Sequence, residues 1–136
     1  MLEVLHTLTS PSKVNVFNLI REPSTPENIA SELGITRQAV DKHLKDLQKY
    51  GAIRKMWLLS SDRPRIQYVA TELGLYFYGK IGSFMSSYRS RGKKDAIESL
   101  KDLDVSMLNG DISVDEYTSR KERISRDYSW FVSDDE

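Results

Sequence analysis

Apolar residues recur at three- and four-residue steps in the first fifty positions, form two short β-branched and aromatic runs around a polar turn over the next twenty, and then return to helical spacing. That order predicts helices, a β-hairpin, and helices again. In SPSKVNVFNLI, Ser10 stands as a cap before Pro11, and Val14, Phe17 and Leu19/Ile20 follow as the buried side of a first helix. STPENIASELG repeats the grammar: Thr25 caps, Pro26 opens, Glu27 complements the helix dipole, Ile29, Ala30 and Leu33 form one face, and Gly34 stops the run. Ile35 and Thr36 alone separate it from a third helix over 36–50, where Ala39, Val40, Leu44 and Leu47 repeat until Gly51. Two helices joined by so short a turn cross steeply, as a helix-turn-helix unit.

After Gly51, AIRKMWLL and RIQYVA are rich in β-branched and aromatic residues, and SSDRPR between them is a turn containing Pro64. Thr71 and Glu72 open a further helix at about 71–90, whose stripe is Leu73, Phe77, Ile81, Phe84/Met85 and Tyr88. Gly74, Gly79 and Gly82 lie within it, although each Gly costs about 1 kcal/mol against Ala in a helix interior. Close approach of another helix explains them, and so does a bend near Gly82. The polar, basic stretch SYRSRGKK, from Ser87 to Lys94, predicts a linker or hinge, with 91–94 as the basic linker. Beyond it, Ile97, Leu100, Leu103 and Met107/Leu108 mark another helix ending at Asn109-Gly110, and Ser113 with Glu116 forms a capping box for the next. The expected organisation is a domain over 1–90, a linker at 91–94, a helical hairpin over 95–126, and an aromatic and acidic tail over 127–136. The class is mainly α with a small β-hairpin (α+β).

Charge changes this picture. The net charge of zero gives no global attraction to polyanions, yet residues 37–65 carry +5 and 66–94 carry +4, while 95–136 carry −7. In the third helix Val40, Leu44 and Leu47 point to the core, leaving Arg37, Gln38, Asp41, Lys42, Lys45 and Lys49 outward. A DNA major groove about 12 Å wide admits one such helix, N-terminal residues nearest the bases. Arg37 can donate twice to guanine and Gln38 can pair with adenine, each worth about 1–3 kcal/mol of discrimination. Lys42, Lys45 and Lys49 suit phosphates. Arg54 and Lys55 on the first strand, with Arg63 and Arg65 at the turn, suit the backbone or the minor groove.

Other chemistries find little support. The absence of cysteine excludes disulfides and thiolate metal sites, and His6 and His43 are too few for a metal centre. His43 reads as a helix residue beside the core. Asp102/Asp104 and Asp115/Glu116 fit helix faces and a capping box, and no phosphate loop or nucleophile elbow occurs. No catalytic site, metal or cofactor is expected. The most apolar stretch, 73–88, is short for a membrane span of about 20 residues and contains Lys80, so a cytoplasmic protein is expected.

The run from Thr36 to Ile53 resembles the recognition helix and following strand of ArsR/MarR-type winged helix-turn-helix regulators of bacteria and archaea. The matching positions are the cap Thr36, then Val40, His43-Leu44, Leu47 and Gly51-Ala52-Ile53, and SPSKVNVFNLI resembles that group's first core helix. The resemblance spans about 8–90. It implies a sequence-specific regulator of transcription that binds double-stranded DNA as a homodimer. Helix 36–50 would enter the major groove, the wing at 60–65 would lie on the backbone or minor groove, and the helix after the wing would supply dimer contacts. The lack of Cys departs from the metal-sensing branch. A second stretch, LKDLDVSMLNGDISVDEYTSRKERI, is similar to the helical hairpin called SHOCT, at Leu100, Leu103, Leu108, Gly110, Ile112, Ser113, Glu116 and Tyr117. That implies an association element. Two other roles stay open. The winged helix can serve as a protein-interaction module, for which Tyr128, Trp130 and Phe131 speak unless they latch onto the chain itself. A groove near Tyr76, Phe77, Tyr78 and Phe84 can take a small apolar effector.

Overall fold

The computed structural model describes residues 1–59 and 63–133. They form two compact units, Met1–Lys80 and Ile81–Glu136. In the first, α1 (Leu2–Leu8), α2 (Pro11–Leu19), α3 (Pro26–Leu33) and α4 (Arg37–Lys49) precede an antiparallel hairpin of β1 (Ile53–Leu59) and β2 (Pro64–Ala70), and the opening turns of α5 (Glu72–Leu108) complete it.

The capping chemistry read from the sequence sets the helix starts. Thr25 Oγ1 accepts the Asn28 N–H at 3.2 Å and Thr36 Oγ1 accepts the Ala39 N–H at 3.1 Å. Gly34 takes φ 64° at the end of α3, the left-handed conformation that an L side chain resists. Ser10 stands at the cap of α2, but its hydroxyl makes no capping bond, and its Oγ is buried without a hydrogen-bond partner. One helix was not anticipated. Residues 2–8 form α1, with Leu8 buried and Val4 packed on the core.

The core gathers Val16, Phe17, Ile20, Ile29, Val40, Leu44, Leu47 and Ile53. Val16, rather than Val14, is the fully buried valine of α2; Val14 is only partly covered. The hairpin is tied to the helices by backbone bonds. Ser24 and Tyr68 exchange hydrogen bonds at 3.0 and 2.8 Å, and the Ala70 N–H donates to Ile20 O at 2.7 Å. Thr71 fastens the strand to α5: its hydroxyl donates to Gly51 O at 2.6 Å and accepts the Gly74 N–H at 3.0 Å. Close packing explains Gly74. A Cβ there would stand 2.8 Å from Phe17 Cε2 and 2.9 Å from Ala52 C, and nearer still to Ala52 O. Gly79 and Gly82 have nothing within 4 Å of such a Cβ. Tyr78 adds a further tie, donating to Leu8 O at 2.7 Å with its ring 4.1 Å from Phe17, and burial pushes its hydroxyl up to about 12.

The second unit holds the rest of α5, α6 (Val114–Asp127) and α7 (Ser129–Val132). The linker expected over 87–94 is not one: these residues, including 91–94, are continuous helix within α5. Arg91, Lys93 and Lys94 are good helix formers, which leaves one glycine against them. Gly92 is also occupied in packing, since the Phe131 ring lies where its Cβ would stand, with Cγ 2.7 Å away. Tyr88 faces Trp130 and Phe131 at 6.1 and 5.7 Å, and Arg89 donates to Ser133 O while its guanidinium lies over Trp130. The aromatic tail is thus latched within its own unit. Ser113 Oγ accepts the Glu116 N–H at 3.1 Å, but the Glu116 carboxylate pairs with Arg120, so the capping box is half formed. Tyr117 donates to Asp104 at 2.7 Å across the hairpin.

Candidate nucleic-acid interface

The first turn of α4 sets the geometry of the outer face. Because Thr36 caps the helix and Val40, Leu44 and Leu47 are fully or almost fully buried, the remaining directions of the helix are fixed outward. Thr36, Arg37, Gln38, Asp41, Lys42, Lys45 and Lys49 are all exposed, as are Arg54, Lys55, Arg63 and Arg65 of the hairpin. Position does not make them equivalent. Arg37 Nε donates to Asp41 Oδ1 at 2.9 Å, one turn on, and Nη1 donates to Glu27 Oε1 on α3. The Asp41 hydrogen bond, with the nearby charge of both carboxylates, raises the already high pKa of the guanidinium. Lys49 turns back over the Tyr50 ring at 5.2 Å.

The other side of α4 holds a group that sequence reasoning passed over. Lys13 of α2 lies 3.2 Å from Asp46 and 3.3 Å from His43 Nδ1. Burial lowers the His43 pKa, and Lys13 lowers it further. A neutral ring whose Nδ1 accepts from Lys13 fits both observations. His43 is therefore part of the packing between α2 and α4.

In the hairpin Arg54 is opposite Val69, Lys55 opposite Tyr68 and Leu58 opposite Arg65. The turn at 60–62, part of the wing expected over 60–65, lies outside the described residues. Toward that end Trp57, Leu58 and Leu59 are 62%, 43% and 87% exposed. Their β propensity was legible, but a strand reaching past the core has nothing to bury them against.

Arg37, Arg63 and Arg65 come together. With Thr25, Glu27 and Ile66 they line a hollow of about 540 Å³ between the start of α3, the start of α4 and the hairpin. The sequence marks Glu27 only as a first-turn acid. The pairing across the turn depends on the angle at which two helices cross, so the ten-residue spacing alone carried no sign of it. Of the stripe on α5, Leu73, Phe84, Met85 and Tyr88 are exposed, Ile81 is half-buried, and Phe77 packs on the core.

The solved structure of a transcriptional regulator homologue from Pyrococcus horikoshii OT3 matches 63% of this chain and 89% of its own, at 21% identity and a TM-score of 0.56. The fold is a winged helix-turn-helix. A second winged helix-turn-helix structure, assigned to the MarR family of transcriptional regulators from Enterococcus faecalis V583, matches 68% of this chain and 86% of its own, at 20% identity and a TM-score of 0.57. The reduced form of the transcriptional regulator YodB from B. subtilis matches 63% and 85%, at 15% identity and a TM-score of 0.55. No family model matches the chain, and a search against curated proteins finds no match. In the winged helix-turn-helix the hairpin is the wing and α3–α4 the helix pair. Among the described residues, no helix is long and apolar enough to cross a membrane.

Proposed function

We propose that this chain is a regulator of transcription that binds double-stranded DNA, with α4 in the major groove and the wing against the backbone or minor groove. One observation carries the reading. The core takes Val40, Leu44 and Leu47 and leaves Arg37, Gln38, Lys42, Lys45 and Lys49 exposed on a helix that the fold presents beside Arg63 and Arg65. Arg37 and Gln38 would read bases, and the lysines would meet phosphates. The solved winged-helix structures of like fold are those of transcriptional regulators, which supports the same reading. The protein acts as a homodimer through Leu73, Phe77, Ile81, Phe84, Met85 and Tyr88. Residues 95–126 serve as the SHOCT-like association hairpin. Selection of genomic fragments by the purified protein tests the reading. Enrichment of a common, pseudo-palindromic sequence is expected, and a pool that stays random after selection contradicts it.

A second reading has its own observation. Trp57, Leu58 and Leu59 present an apolar surface on the wing, which suits a protein partner. On that reading the winged helix is a protein-interaction module without sequence-specific DNA binding: Trp57→Ser with Leu59→Ser abolishes partner binding, and the parent chain enriches no common sequence from the genomic fragments.

A further inference from the structure

The hollow beneath the wing carries three guanidinium groups, from Arg37, Arg63 and Arg65, and the carboxylate of Glu27. Glu27 accepts from Arg37 Nη1, while Asp41 holds Nε. Glu27 is 68% exposed, so its ion pair is screened and readily exchanged. A guanidinium donates to carboxylate or phosphate oxygens in the same planar, two-pronged geometry. We infer that this hollow is a seat for a phosphate group, and that the Glu27 carboxylate occupies Arg37 until the phosphate enters. The choice of source rests on the DNA-binding reading: a phosphodiester lying between α4 and the wing meets Arg37 from one side and Arg63 and Arg65 from the other. A free phosphorylated small molecule offers the same chemistry. Glu27 thereby competes with the phosphate for Arg37 and sets how much binding gains from filling the hollow.

The exchange has a signature in salt dependence. Each phosphate neutralised releases counterions and steepens the slope of log K against log salt by about 0.9. When Arg37 leaves Glu27 for a phosphate, Glu27 takes up a cation from solution, and that one contact loses its salt dependence. In Glu27→Gln nothing opposes the release. The slope steepens by about 0.9, and affinity at low salt rises several-fold. Arg65→Gln acts oppositely, with a slope shallower by about 0.9.

The full chain, Glu27→Gln and Arg65→Gln are titrated with a labelled mixed-sequence duplex over a series of salt concentrations. They are titrated separately with inorganic phosphate and pyrophosphate, followed by the NMR signal of the Arg37 side-chain Nε–H. Opposite slope changes in the two variants support the seat with DNA as its source. A chain indifferent to duplex, whose Arg37 signal moves with pyrophosphate more readily in Glu27→Gln, keeps the phosphate seat and overturns the DNA reading. Duplex binding with the same slope and affinity in all three proteins overturns the seat and leaves the DNA reading standing. Circular dichroism of the variants confirms that the fold is retained.

Discussion

Alanine at Gly74 and at Gly79 is the same substitution in the same helix, and the two should move stability in opposite directions. Either one gains about 1 kcal/mol of helix propensity. At Gly79 nothing within 4 Å meets the added methyl, so that gain stands. At Gly74 the methyl drives into Ala52 and Phe17. Overpacking of this kind costs about 1–3 kcal/mol, and more where the neighbour is unable to yield. Here it is a backbone carbonyl that already accepts the Thr71 N–H at 3.0 Å. The expected net loss is about 2 kcal/mol, with some 3 kcal/mol between the two variants. Equilibrium urea unfolding followed by circular dichroism, at one protein concentration, measures both midpoints and slopes. A Gly74→Ala protein as stable as the parent would refute the assignment of Gly74 to close packing.

Tyr78→Phe removes the hydroxyl that bonds Leu8 O, and should cost about 1–2 kcal/mol in the same urea experiment because the carbonyl is left without its donor. Gly92→Ala should evict Phe131 and loosen the neighbouring Trp130. In a Trp57→Phe background the remaining tryptophan emission should shift to the red and quench more readily, while an unchanged spectrum would show the tail is seated elsewhere. The folded pKa of His43 lies below its ordinary value, because burial and Lys13 oppose the charged ring. The unfolded chain therefore binds the extra proton first, and stability should fall as pH drops below about 6.5 toward the folded value. His43→Gln should flatten that part of the profile, and an equally steep fall in the variant would exclude His43 as its source.

Much of the first unit was legible because its signals are local. Thr25, Gly34 and Thr36 each act within one helical turn, so their residue types alone fixed the boundaries of α3 and α4, and the spacing of Val40, Leu44 and Leu47 fixed the buried face. The errors arose where one signal competed with another at a distance. The single glycine and the charges of 87–94 resembled a linker, yet Gly92 is there for the Phe131 ring, which lies almost forty residues away in sequence. Val16 rather than Val14 is buried because it shares one face of α2 with Phe17 and Ile20, one turn before the latter. At the candidate site, the exposure of Arg37, Gln38, Asp41, Lys42, Lys45 and Lys49 followed from the spacing of the apolar positions in α4. The pairing of Arg37 with Glu27 did not, since it depends on the crossing of α3 and α4.

On the proposed function, the outer face of α4 is a surface for duplex DNA. Fluorescence anisotropy with the fragment preferred in selection, measured over a range of salt for the parent chain and for Arg37→Ala with Gln38→Ala, tests it most directly. A steep loss of affinity with salt is expected, about 0.9 in log–log slope for every phosphate contacted. The double variant should keep much of that salt dependence and lose its preference over random sequence. Binding indifferent to salt, or an undiminished preference in the double variant, would contradict the account.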